Sequence, residues 1–145
     1  MTSPSASTAG TARPSPALAP LAERIVSGAL ACLFLFGAAV QYNDPDPLGW
    51  AALYLAAMAV CAGHALRPMP FLPGALVALA ALLWAIVLAP SALQLMPSFA
   101  EVTGTFRMMA PGVEELREFG GLMIIAVVTG ILAFRARRRS ARTPR

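Results

Sequence analysis

FLPGALVALAALLWAIVLA, residues Phe71–Ala89, decides the fold: 19 residues pass without a single charge. As a helix rising ~1.5 Å per residue, the stretch reaches roughly 28 Å, close to the hydrocarbon thickness of a bilayer. Three further apolar runs flank it, at Ile25–Val40, Leu48–Leu66 and Phe119–Phe134. The composition agrees, with 58% hydrophobic residues, 12% charged residues and a mean hydropathy of +0.69. A soluble domain carries about a quarter charged residues, so this chain has too little polar surface to cover a globule in water. Lipid is the solvent that removes the conflict.

The four runs predict an all-α membrane protein, a four-helix transmembrane bundle with spans near 22–42, 48–66, 71–89 and 114–134. The first run is only just long enough to cross, so it takes Leu21 and Tyr42 at its ends. A cleaved signal peptide is the competing reading, with Gly37-Ala38-Ala39 as the small-residue site. The long preceding tail favours a retained helix. Asp46 followed by Pro47 opens the second span, the carboxylate as N-cap and the proline at the first helical position. Arg67-Pro68 closes it, and Pro90 bends or ends the third. Residues Ser91–Gly112 read as one long loop, broken by Pro97, Gly104 and Pro111. The fourth helix starts as a polar turn near Pro111 to Glu114, and Arg135, Arg137, Arg138 and Arg139 stop it. The domain plan is a disordered Ser/Thr/Ala/Pro-rich tail over 1–20, a transmembrane domain over 21–135 and a basic tail over 136–145.

Charge placement orients the bundle. All 11 basic residues are arginine, and the formal net charge is +4. Six of them lie between Arg135 and Arg145, and none forms a stripe interleaved with aromatics, which argues against a nucleic-acid partner. With four spans, both termini and Arg67 share one side, which collects nine arginines and leaves Arg107 and Arg117 opposite. That imbalance predicts cytoplasmic termini, with anionic-lipid attraction of the tail as a lesser effect. The absence of lysine alongside abundant Ala, Arg and Pro points to a GC-rich, bacterial genome and hence to a bacterial inner membrane. Cys32 and Cys61 both sit in apolar runs and act as small hydrophobes, with no CxxC spacing.

An even number of spans has a chemical consequence. The loop between spans one and two must share a membrane face with the loop between spans three and four. Gln41-Tyr42-Asn43-Asp44-Pro45-Asp46-Pro47 therefore meets Glu114-Glu115-Leu116-Arg117-Glu118. Pro45 fixes a tight turn that projects Asp44 and Asp46, and Trp50 and Tyr54 follow at i, i+4 on the second helix. Gly120 and Gly121 lie beneath the acidic turn and are expected to admit a neighbouring helix. The candidate cluster is Gln41, Asn43, Asp44, Asp46, Trp50, Tyr54, Glu115, Arg117 and Glu118.

The stretch Gln41 to Pro47, with Trp50 and Tyr54 after it, resembles the signature of the transmembrane protein 220 family. The block Glu115-Leu116-Arg117-Glu118-Phe119-Gly120-Gly121-Leu122 is similar to that family's later Glu-x-Arg-Glu-x-x-Gly-Leu element. The resemblance covers the ends of three spans and neither terminal tail. It implies a small multi-span membrane protein and carries no established molecular activity.

Several roles fit the cluster. The structural one makes Asp46 a cap and pairs Arg117 with an aspartate, clamping the first hairpin to the fourth helix. Such charge-assisted contacts contribute about 1.5–3 kcal/mol each when partly desolvated. The chemical one sets Asp44, Asp46, Glu115 and Glu118 as hard oxygen ligands for a divalent cation or a small cationic ligand. No EF-hand spacing supports it. Transport would call for ionisable groups near mid-membrane, and the charges all cluster at span ends, which leaves transport to an oligomer. No Ser/His/Asp or Cys/His set assembles around the single histidine, so catalysis is the least supported reading. Cys61 and His64, at i, i+3, would offer only two ligands; His64 reads as an interfacial helix-end residue. Trp50 and Tyr54 read as interface anchors and packing groups. The expectation is a structural or accessory membrane protein with no resident cofactor, in contact with the bilayer and with a second copy or a membrane partner. Small-residue faces at Ala52/Ala56 and Ala59/Gly63 suit packing within or between subunits.

Overall fold

The computed structural model describes residues 19–43, 46–94 and 111–142. These form α1 (Leu21–Val40), a short 3-10 turn (Gln41–Asn43), α2 (Pro47–Leu66), α3 (Phe71–Gln94) and α4 (Pro111–Arg142). All four helices are long and apolar enough to cross a membrane, so the expected four-span architecture is observed. The N-terminal tail to residue 18, Asp44 and Pro45, the 95–110 segment and residues 143–145 lie outside the described residues.

The elements follow from the residues. Ala and Leu dominate the helices and lose little side-chain freedom in them. Pro47 occupies the first turn of α2, where its missing N–H would have no partner in any case. Asp46 takes the N-cap position, although its side chain makes no capping hydrogen bond. At the other end of α2, the Arg24 Nε donates to the Ala65 carbonyl oxygen at 2.7 Å. A cation from α1 thereby satisfies one of the carbonyls that every helix C-terminus leaves open.

Two helices run past the expected ends of their spans. Of the two alternatives for Pro90, a bend or an end, the end is overturned, since the third helix continues to Gln94 with Ala92 fully buried. A proline removes one backbone bond, whereas stopping in hydrocarbon would strand several groups. Likewise the arginines do not stop the fourth helix, which runs on to Arg142. Arginine is a good helix former, and its charge suits the negative end of the helix dipole. The charges end the membrane crossing and leave the helix intact.

Packing divides the bundle into two hairpins. α1 lies against α2 and α3 against α4, while α2 touches both α3 and α4 more sparsely. α1 has no close backbone approach to α3 or α4. The core is a stripe of α2 (Trp50, Leu53, Ala57, Val60, Cys61, His64) at helical spacing. Large apolar side chains such as Ile25, Phe36, Leu48, Ile86 and Val87 point outward instead. That inversion suits a lipid surround, where apolar exposure costs nothing and helices associate through close packing.

His64 stands in the last turn of α2, at the helix end as expected, with its side chain turned into the bundle at 3% exposure and its Nδ1 donating to the Val60 carbonyl oxygen at 3.0 Å. The end of α2 is covered by α1 and by Met69, whose sulfur packs on Gly63. Cys61 is buried and Cys32 faces outward, and both are free thiols.

The tightest seam is between α3 and α4. A Cβ on Gly74 would stand 3.0 Å from the Thr129 carbonyl oxygen and 3.2 Å from the Ala133 Cβ. Gly120, by contrast, has open space where its Cβ would be. Gly74→Val should therefore lower stability in detergent by about 1–3 kcal/mol through overpacking. Gly120→Ala should hold or gain a few tenths through helix propensity, up to ~1 kcal/mol. Reversible unfolding followed by circular dichroism separates the two, and equal effects would show that the seam is not close-packed.

Candidate functional site

The predicted cluster is assembled from two helix starts and a turn. Gln41 lies half-buried in the 3-10 turn that closes α1, and the Asn43 backbone completes that turn. Asp46 opens α2 and is exposed. Glu115, Arg117 and Glu118 occupy the first turns of α4, all half-buried. Asp46, Arg117 and Glu118 are each engaged in a polar or electrostatic interaction. Among the described residues no set of three His, Cys, Asp or Glu side chains converges on a metal position.

The two aromatics of the motif turn inward. Trp50 is 4% exposed and stacks on Trp84 of α3, with ring centroids 4.5 Å apart and planes inclined by 28°. Such a pair contributes ~0.5–1.5 kcal/mol beyond the area it buries. Tyr54, one turn further on, reaches in two directions. Its ring lies on Gly37 of α1, where a Cβ would come within 2.9 Å of ring carbons. Its hydroxyl lies on Gly121 of α4, 2.7 Å from where a Cβ would stand. The Tyr54 ring also tilts against Phe34, with centroids 6.3 Å apart. Glu118 is near enough for its charge to act on the phenol.

Tyr54 is thus a pin that passes between two glycines and joins α1, α2 and α4 at the end carrying the acidic motif. Both glycines are needed for clearance alone, as their backbones are ordinary helix. The expectation that Gly120 and Gly121 together admit a neighbour holds for Gly121 only; Gly120 faces away from any partner within 4 Å. Glu115 is set apart from the other acids, because its Oε2 is buried with no hydrogen-bond partner among the described residues.

Sequence reasoning missed the polar tie at the opposite end. Glu23 of α1 accepts from Arg139 at 2.8 Å through Oε1 and pairs with Arg135 at 3.2 Å through Oε2. The signal was present, since Glu23 is the one acid on the arginine-rich side. Its side chain is 12% exposed, against 54% for Arg135, so the Arg135 pair resembles surface pairs worth about 0–1 kcal/mol. The shorter Arg139 bond is better shielded. The tie spans two helices whose backbones do not meet, and it places the start of α1 and the end of α4 on one side of the bundle.

The pin yields a double-mutant test. Gly121→Ala should destabilise by roughly 1–3 kcal/mol, because the new methyl displaces the Tyr54 hydroxyl. Tyr54→Phe removes the conflicting oxygen, and the ring carbon behind it would stand at an ordinary 3.9 Å. The double variant should therefore recover most of the loss, a coupling that independent sites would not show. Additive losses in thermal melts would rule the pin out.

The comparisons with curated proteins and with solved structures found no match. A family described as "Transmembrane family 220, helix" matches residues 33–134, from the middle of α1 to the last apolar turn of α4. That region holds the Gln41–Pro47 motif, the Trp50 and Tyr54 side chains and the Glu115–Gly121 block. With four membrane-crossing helices and a match over most of its length, the chain is an integral multi-pass membrane protein that belongs to transmembrane family 220.

Proposed function

We propose that this protein is a structural accessory component of its membrane, a small helical body that packs beside a second copy or another membrane protein. The observation that carries the reading is the Tyr54 pin. It joins α1, α2 and α4 at the end that carries the acidic motif, which supports reading that end as a clamp on the bundle. A rigid body with a defined outer surface is what a packing partner needs. On that surface Ala52 and Ala59 of α2 face outward, small side chains that let a partner helix approach closely.

The arginine distribution supports cytoplasmic termini, and the lysine-free composition supports the inner membrane of a bacterium. Single cysteines test packing and orientation together, in a chain whose Cys32 and Cys61 are replaced by alanine. Ala52→Cys and Ala59→Cys should form intermolecular disulfides in native membranes, while Val87→Cys on the outward face of α3 should not. Equal cross-linking at all three positions, or none, would defeat the accessory reading. Arg142→Cys should resist a membrane-impermeant maleimide in intact cells; ready labelling would invert the orientation.

A second reading is favoured by one atom. The buried Glu115 Oε2 has no hydrogen-bond partner among the described residues, and a divalent cation or a small cationic ligand would satisfy it. Asp46, Glu118 and Asp44 are the other candidate ligands and would have to move in to complete the site, since the described acids do not converge. On this reading calcium or magnesium raises the melting temperature of the purified protein by several degrees. Glu115→Gln abolishes the gain. A melting temperature indifferent to both ions, in detergent and in bilayers, would discard the cation.

A further inference from the structure

The arginine-rich end holds a feature that the helix clamp does not use. Because α1 and α4 do not approach closely, a groove of about 510 Å³ runs between them, open along one side. Below its charged mouth its walls are apolar apart from Ser27, with Val26 and Leu30 of α1 facing Val128, Ile131 and Leu132 of α4. Arg135 lies seven positions beyond Val128, so the groove descends roughly 10 Å along α4 at ~1.5 Å per residue. A volume in the range of about 300–1,000 Å³ is typical of small-molecule sites.

The mouth has the opposite character. A second hollow of about 240 Å³ adjoins the first and shares Pro20, Glu23 and Arg135 with it. It is lined further by Arg138, Arg139 and Arg142, giving four guanidinium groups against the single carboxylate of Glu23. Glu23 draws Arg135 and Arg139 toward the groove rather than away from it. Arg138 is held over the Phe134 ring, 4.5 Å from its centroid, which fixes its guanidinium near the same edge.

We propose that this groove is a binding site for one anionic phospholipid, with an acyl chain between α1 and α4 and the phosphate among Arg135, Arg138, Arg139 and Arg142. Charge complementarity selects the occupant. An apolar slot continuous with a cationic basin fits a molecule that is apolar for its length and anionic at its end. Guanidinium groups match phosphate oxygens in bidentate geometry. A zwitterionic lipid would fill the slot equally well and leave the basin's positive excess unmet. The site differs from diffuse attraction of a basic tail to a charged surface, because it binds a single molecule at a place that side-chain volume can block.

Native mass spectrometry of the full chain in detergent tests it, with phosphatidylglycerol titrated against phosphatidylcholine of the same acyl chains. The first phosphatidylglycerol should bind at least tenfold more tightly than the first phosphatidylcholine. Arg138→Gln with Arg142→Gln should reduce that preference severalfold, leaving the Glu23 tie in place. Ile131→Trp should fill the groove and weaken the first binding event of both lipids, with melts confirming that the bundle is intact. Ile131 is 50% exposed, so the larger ring is accommodated without disturbing the core. Equal affinity for the two lipids would overturn the proposal, as would unchanged binding in Ile131→Trp. Stabilisation by inorganic phosphate equal to that by phosphatidylglycerol would do the same, since it would reduce the site to an anion basin. A Cys cross-link showing residues 1–18 or a second copy in the slot, undisplaced by added lipid, would also overturn it.

Discussion

Everything in this bundle depends on α2, because it is the helix that meets all the others. Its buried stripe is made of side chains of graded size. Trp50 and Tyr54 sit near the polar end, Leu53 and Ala57 in the middle, and Cys61 and His64 at the far end. Trp50 reaches Trp84 of α3 and Tyr54 reaches Gly121 of α4, whereas Ala57 and Cys61 present small, fully buried side chains. In lipid the driving force for this closure is contact quality and not water release. Size matching along α2 therefore does the work that hydrophobic burial performs in a soluble core.

The polar ties are placed accordingly. One lies at each end of the bundle, and neither lies in the middle. At one end Tyr54 bridges two glycines beside Glu118; at the other Glu23 reaches Arg135 and Arg139, and Arg24 caps α2. Ion pairs are tolerable there because both partners stay near water and avoid the desolvation cost of the hydrocarbon centre. In the apolar middle, polar groups are satisfied within their own helix, as when Thr129 bonds to the Ile125 carbonyl oxygen at 2.7 Å.

Span number and the sharing of a face by the two motifs were legible in the sequence, because both follow from run length and parity. Helix ends were less so. Pro90 read as a bend or a stop and the Arg135–Arg139 run as a stop, under rules drawn from isolated helices, while the membrane decides where a break is tolerated. The site was legible as a set of residues and not as a geometry. Tyr54 was picked out by its spacing from Trp50, yet its path between Gly37 and Gly121 depends on two other helices, one of them far off in sequence. The burial of His64 was hidden for the same reason, since coverage by neighbouring elements is tertiary. The pairing of Glu23 with arginines more than a hundred positions away has no local trace except charge.

The division into two hairpins has a consequence for biogenesis. Each hairpin completes its main contacts between neighbours in sequence, α1 with α2 and α3 with α4. Local contacts form quickly and need little loop closure. The first hairpin can therefore settle in the bilayer while the second is still being synthesised. The sparse contacts of α2 with α3 and α4 are left as the final docking step. Trp50 must then find Trp84, and Tyr54 must find Gly121. Both contacts need the two hairpins to stand in the same register.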